Sequence, residues 1–430
     1  MTKVKGAKEA EETETVESAG FGRDRRKLLL EQAAVELNAR GVGQASLADI
    51  AARLGVTRTA LYNYVEDQRD LVFQCYRHSC EVLARTFTRA HQQNKDILGC
   101  LEDFIERMSS PGTPPIAAMT DLPFLDDEQR DTIEGLLSGI IAEVAHIIEG
   151  GIKSGAIRPC SSIVVARAVL ALVSWPPLLP PTSPKFVELA SPQLLTTTKS
   201  LLRLGIAAER AGYVDVSHEF NVNTSGPPTN VFERTELAKA KKEALLAKGS
   251  RLLNLKGFDQ TSLDEIAASV GVSKAVIYHN IGDKQTFVLE CYRRAYLFAL
   301  DIANRMDKSK SDRLTALVKA MYELSLIHLR EDAPLLFPVV GFASLSKTLV
   351  FETRQTNKTL QKIYTRAVET GFKEGSVRVQ STTALLSLLP AFIQWLDKWR
   401  KIPSGNEVTI EHVADEVARL VAIGLAPLEG

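Results

Sequence analysis

A gapless internal repeat constrains this chain more than any other feature. Gly41 to Arg77 read GVGQASLADIAARLGVTRTALYNYVEDQRDLVFQCYR, and Gly257 to Arg293 read GFDQTSLDEIAASVGVSKAVIYHNIGDKQTFVLECYR. The two segments align at a shift of 216 residues with 15 of 37 positions identical. Further on, GIKSGAIR from Gly151 matches GFKEGSVR from Gly371, and Trp175 matches Trp395, both at a shift of 220. A nearly constant shift over more than 100 residues means that a whole folding unit is duplicated, not a short motif. The 430 residues also exceed what one ordinary core organises.

The repeat sets the expected organisation. Residues 1–20 read as a disordered lead-in, rich in Lys and Glu. Residues 21–77 and 232–293 are two equivalent small domains, each followed by a larger one at 78–212 and 294–430. The seam at 213–231 contains VNTSGPPTN, with the Pro, Gly, Ser and Asn of a linker. Apolar residues recur at three- and four-residue steps in Leu28–Asn38, Ile133–Ile148, Val164–Val173, Leu360–Val368 and Val413–Ile423. Prolines cluster between such segments and no alternating strand pattern occurs, so the fold class is all-α.

Composition excludes more than it selects. A hydrophobic share of 45% supports packed domains. With 52 basic and 52 acidic side chains the net charge is +0, so any nucleic-acid surface must come from local arrangement. Cys75, Cys80, Cys100, Cys160 and Cys291 form no metal-binding spacing and read as free, buried or half-buried thiols of a reducing compartment, with a redox sensor as the alternative. The most apolar run, Ile163 to Val173, is interrupted by Arg167 and falls short of the ~20 residues a bilayer needs. No secretory leader is visible, and a cytoplasmic location is expected.

The repeated core reads as two short helices and a tight turn. Ser46 with Asp49, and Ser262 with Glu265, have the spacing of a helix start. Gly55 and Gly271 end the first helix, Val56 and Val272 plug the turn, and Thr57 and Ser273 cap a second helix, which in copy one is expected to run through Tyr64. This is the helix-turn-helix pattern, whose second helix enters the major groove. Candidate DNA contacts in copy one are Ser46, Thr57, Arg58, Thr59, Tyr62, Asn63 and Tyr64. In copy two they are Ser262, Ser273, Lys274, Ala275, Tyr278, His279, Asn280 and Lys284. Tyr62 and Tyr278 read equally well as phosphate contacts or half-buried packing residues. Local charge is mildly positive, nine basic against seven acidic over 21–77 and eleven against eight over 232–294, so binding needs both units and is salt-sensitive.

These residues resemble the TetR family of regulators. The resemblance rests on Ile50-Ala51, Gly55-Val56-Thr57, Leu61-Tyr62-Asn63-Tyr64 and Leu71 in copy one. In copy two it rests on Ile266-Ala267, Gly271-Val272-Ser273, Ile277-Tyr278-His279-Asn280, Lys284 and Phe287. The family's usual Phe is Val65 and Ile281 here, its phosphate-meeting Lys survives as Lys284 but is Gln68 in copy one, and Asn280 replaces an aromatic. The resemblance implies a three-helix DNA-binding domain, a helical domain that binds a small molecule, and a two-fold four-helix bundle. That bundle would be built here from 162–174 with 193–209 and 381–400 with 409–425. It implies a regulator, usually a repressor, acting on a double-stranded DNA operator, as an intramolecular pseudo-dimer or a homodimer. Because the two recognition helices differ at most outward positions, the expected operator is an imperfect palindrome.

No catalytic constellation, phosphate-binding Gly loop or paired histidines stand out, so neither an enzyme nor a cofactor or metal is expected. An apolar small-molecule cavity draws its candidates from Phe104, Met108, Met119, His146 and Trp175 in the first half. In the second half they are Met306, Met321, Tyr322, Phe342 and Trp395. Core packing is the competing explanation for each. The alternative for the whole chain is a helical protein-interaction module that has lost DNA binding.

Overall fold

The computed structural model describes residues 25–178, 192–211, 234–330, 334–336, 345–396 and 409–428. The sequence-derived lead-in (1–20) and linker (213–231) lie outside the described residues. Among the described residues helices dominate, and one isolated bridge pairs Ala207 with Val377. In the first half, residues 25–40 form α1, followed by α2 (Leu47–Leu54), α3 (Arg58–Leu61), α4 (Gln68–Gln93), α5 (Ile97–Met108), α6 (Asp127–Lys153), α7 (Ser162–Ser174) and α8 (Pro192–Leu204). The second half repeats the order as α9 (Arg234–Gln260), α10 (Leu263–Val270), α11 (Lys274–Asn280), α12 (Lys284–Asp307), α13 (Arg313–Leu329), α14 (Lys347–Lys373), α15 (Thr382–Leu396) and α16 (Ile410–Ile423).

Side-chain caps start most of these helices. Asp67, Asp96, Asp126, Asp283, Asp312 and Thr409 each accept a hydrogen bond from an amide in the first turn that follows. Each such cap stabilises its helix by ~1 kcal/mol. In each half the long helix after the helix pair (α4, α12) leads into the larger domain, where α5 and α6, or α13 and α14, pack against it.

The halves meet through their last helices. α7 and α8 pack against both α15 and α16, which makes one four-helix bundle within a single chain. The indole Nε1 of Trp175 donates to the Ser387 carbonyl at 2.7 Å across this junction. The backbones of the two halves also exchange hydrogen bonds directly: Arg158 N to Leu425 O at 2.9 Å, and Arg378 N to Ile206 O at 2.7 Å. Gly205 (φ +66) and Gly424 (φ +62) lie where those backbones touch, and a Cβ on either would overlap main-chain atoms of the opposite half. A side chain there would be strained by its positive φ and would force the halves apart.

The bundle is not symmetric in chemistry. Arg158 and Glu416 form an ion pair of 2.8 Å with side chains 2% and 3% exposed. Arg158 Nε also donates to the Gly424 carbonyl at 2.6 Å, and the Ser161 amide donates to the second Glu416 oxygen at 3.1 Å. In the other orientation Arg378 has only Thr197 at the position related to Glu416, and among the described residues the buried Thr197 hydroxyl has no hydrogen-bond partner.

Two expectations change. α6 is long and apolar enough to cross a membrane by length and composition, although the sequence reading identified no such segment. Its apolar residues Ile133, Leu137, Ile140, Val144 and Ile148 are buried against α4 and α7, so its apolarity is that of a core helix. Pro390 lies inside α15 and not between helices.

Burial governs the cysteines. It raises the thiols of Cys75, Cys160 and Cys291 to about 12 and that of Cys100 to about 11, so little thiolate exists near neutrality. A disulfide-exchange reagent at pH 8 is therefore expected to label these four in the native protein more than ~100-fold more slowly than in the urea-unfolded chain. Equal rates in both states would show that the thiols are accessible.

Candidate nucleic-acid interface

The first head is built from α1, α2 and α3. Leu29, Ala33 and Leu37 of α1 pack on Leu47, Ile50 and Ala51 of α2 and on Leu61 of α3. Gly55 adopts the left-handed conformation (φ 66°), and its amide closes the end of α2 on the carbonyls of Ala51 and Ala52. Thr57 Oγ1 then accepts from the Ala60 amide at 3.2 Å and starts α3. With the apolar side of α3 held down by Leu61, the residues Thr57, Arg58, Thr59, Tyr62 and Asn63 face solvent, and Tyr64 is half-buried. α3 ends at Leu61, shorter than expected, because Tyr62, Asn63 and Tyr64 bond back three residues, to Thr59, Ala60 and Leu61, in tighter turns.

Arg58 Nη2 lies 3.1 Å from the Tyr62 hydroxyl, and its guanidinium stands 5.9 Å from the ring centroid. Tyr62 is 46% exposed, so the pair forms an outward-facing cation and aromatic surface. In the same head the fully buried Glu36 pairs with Arg40 (2.6 Å) and Arg53 (3.1 Å), tying the end of α1 to α2.

The second head repeats this plan. Gly271 (φ 75°) ends α10, and α11 is anchored by the buried Ile277. Ser273, Lys274, Ala275, Tyr278, His279 and Asn280 are exposed, with Tyr278 52% exposed. Lys274 pairs with Asp264 at 2.7 Å, which raises its pKa, and its ammonium lies 5.9 Å from the Tyr278 centroid. The outward charge is thus more compensated here than at Arg58.

Three sequence candidates make contacts within their own heads. The Ser46 hydroxyl accepts from its own helix, from Ala48 N (3.1 Å) and Asp49 N (3.4 Å), and Ser262 caps Glu265 N at 3.1 Å. Lys284 is half-buried over the Phe258 ring at 4.4 Å, with its pKa lowered by burial. Its counterpart Gln68 donates to the carbonyls of Val42 (2.7 Å) and Ala45 (3.0 Å), bracing the same turn from within the head. That inward role was not visible in the sequence, where Gln68 reads only as a missing lysine. The turns after α1 and within the end of α9 also meet each other: a Cβ on Gly43 would overlap the Asp259 carboxylate.

A cavity of about 1390 Å³ lies between the halves, and Met108, Trp175 and Met321 line it. Other ligand candidates lie elsewhere. Phe104 is fully buried and packs edge-on to Phe87 with centroids 5.3 Å apart. Met119, Met306, Tyr322 and Trp395 are core residues that do not line it, and His146 is exposed on α6. Phe342 lies outside the described residues.

Two exposed second helices, each set on a buried partner by a glycine turn, define a protein with two helix-turn-helix heads. The profile for bacterial regulatory proteins of the tetR family matches residues 29–75 and again 245–291. The chain therefore carries two copies of the tetR-family head unit in tandem. Among solved structures it is similar to the TetR-family regulator PfmR from Thermus thermophilus, at 21% identity and a TM-score of 0.35, covering 41% of this chain and 96% of that one. It is also similar to apo AibR (19%, 0.34, covering 41% and 97%) and to a TetR/AcrR-family regulator from Thermobifida fusca (20%, 0.32, covering 43% and 97%). No curated protein sequence matches the chain.

Proposed function

We propose that this protein is a cytoplasmic transcriptional repressor in which one chain does the work of a dimer. Its domains are heads at 21–77 and 232–293, with effector regions at 78–212 and 294–430. Each head reads one half-site of a duplex operator. Thr57, Arg58, Thr59, Tyr62, Asn63 and Tyr64 serve in the first head. Ser273, Lys274, Ala275, Tyr278, His279 and Asn280 serve in the second, and Lys284 steadies its turn. A small, largely apolar molecule in the helical regions controls DNA binding, and it does so only by binding the DNA-competent and incompetent arrangements with different affinity.

One observation carries the reading: the same outward positions of α3 and α11 are solvent-exposed in both halves, while the halves share one bundle. The positions differ in identity (Arg58 against Lys274, Thr59 against Ala275, Asn63 against His279, Tyr64 against Asn280), so the two half-sites should differ.

Selection of bound duplexes from a random pool tests this. The expected product is one imperfect palindrome per chain, with half-site centres ~34–36 Å apart or a multiple of that spacing. Affinity should fall steeply with salt. Absence of any enriched sequence at low salt would instead make the chain a helical protein-interaction module.

A further inference from the structure

We infer that the chain has a single effector site, the cavity between the halves that α12 and α14 of the second half frame, and that it takes an amphipathic molecule with an anionic end. The inference rests on the regulator reading only for its consequence, since the site itself is argued from the two halves alone.

The halves are equivalent in fold but not in their interiors. α14 lines the cavity from Val350 to Val368 and α12 from Tyr292 to Ala299, whereas their counterparts α4 and α6 contribute no lining residue. The sequence explains the difference position by position. On α14 the lining face carries Arg354, Asn357, Gln361 and Tyr364, and the related positions of α6 are Glu134, Leu137, Ile141 and Val144. On α12 the lining residues Tyr296 and Ala299 correspond to Cys80 and Leu83. Leu137, Ile141, Val144, Cys80 and Leu83 are all buried. The first half has filled with aliphatic side chains the volume that the second half leaves open. A dry, close-packed interior of that kind has no room for a ligand.

The open site has chemical polarity. Arg354, Asn357 and Gln361 follow one another at steps of three and four along one face of α14, so their polar ends align. Among the described residues Arg354 forms no ion pair, so its guanidinium is available to a carboxylate, sulfonate or phosphate, with the Asn357 amide as a further donor. The lining also carries an apolar group, Leu317, Met321, Leu385 and Leu389, with Leu172 and Trp175 of the first half, beside polar residues that include His328 and Thr198. A largely apolar body with one anionic terminus fits this mixture of surfaces. The cavity also reaches Arg40 and Val42 after α1 and Phe258 and Asp259 near the end of α9. These are the two turns at which the heads approach each other, so one bound molecule can bear on the placement of both heads.

Titration of the full chain with dodecanoate, read by calorimetry and by native mass spectrometry without DNA, tests the inference. One dodecanoate per chain is expected. Arg354→Gln, an exposed change that leaves the fold intact, should weaken dodecanoate by about tenfold or more and leave uncharged 1-dodecanol unchanged. Ala299→Leu installs the side chain that the first half already accommodates, and it should weaken both compounds without lowering the unfolding temperature. Two equivalent sites per chain, no binding of dodecanoate, or an Arg354→Gln affinity equal to wild type would each overturn the inference. Because DNA is absent, failure of operator selection and failure of this site are separate results.

Discussion

Replacing Glu416 with alanine should lower the stability of this protein by about 3–5 kcal/mol, the usual cost of removing one partner from a buried ion pair. The size follows from what is left behind. Arg158 lies almost wholly out of water, 2.8 Å from Glu416. Without the carboxylate it keeps its bonds to the carbonyls of Gly424 and Pro159, but its charge is uncompensated, and the Ser161 amide loses its acceptor. Thr197→Val is the matched control on the other side of the bundle. It removes a buried hydroxyl that has no partner and keeps the shape, so it should be neutral or slightly stabilising. Urea unfolding of the two variants checks both values. A loss below about 1 kcal/mol for Glu416→Ala would mean that water reaches Arg158. The same asymmetry disfavours one alternative pairing: two first halves would set Arg158 against Thr197 at both contacts, whereas a second half supplies Glu416.

The parts of this architecture that were legible in the sequence are those written in local code. The glycines at 55 and 271, the caps at Ser46 and Ser262 and the apolar steps of Ile50, Ala51, Ile266 and Ala267 each act within a few residues of themselves, so the heads could be drawn from the repeat alone. Two bundle helices were legible through periodicity, at Val164–Val173 and Val413–Ile423, and the set of four came from the family resemblance. What stayed hidden depends on residues distant in the chain. Glu416 and Arg158 are 258 positions apart, and nothing in either neighbourhood marks the pair. Gln68 looked like the loss of a phosphate contact because its partners, Val42 and Ala45, use backbone carbonyls that no side-chain pattern encodes. The cavity was the least legible. Met and aromatic residues at helical spacing serve core and cavity equally, so Phe104 and Trp395 packed inside, while the residues that distinguish the halves are the polar ones on α14 and the small Ala299 on α12.

Removing Arg58 and Tyr62 together by alanine substitution should weaken operator binding by about 10- to 100-fold, more than the matching pair Lys274 and Tyr278 does, as measured by fluorescence anisotropy at fixed salt. Both pairs lie on exposed helices with the cation near the ring, at 5.9 Å in each head, so neither double variant should disturb the head's core. They differ in their charge environment. Asp264 holds the Lys274 ammonium at 2.7 Å, and that carboxylate must be displaced or must face the phosphates when DNA arrives. Arg58 has the neutral Tyr62 hydroxyl as its neighbour and brings its full charge to the interface. It follows that Asp264→Asn should strengthen binding and steepen its salt dependence, since an additional cation then releases counterions. The same logic governs specificity. Exchanging Lys274, Ala275, His279 and Asn280 for the residues of the first head, Arg, Thr, Asn and Tyr, should convert the preferred operator from an imperfect to a near-perfect palindrome. If the selected sequence keeps its asymmetry after that exchange, the two helices do not read the bases, and recognition lies in other parts of the heads.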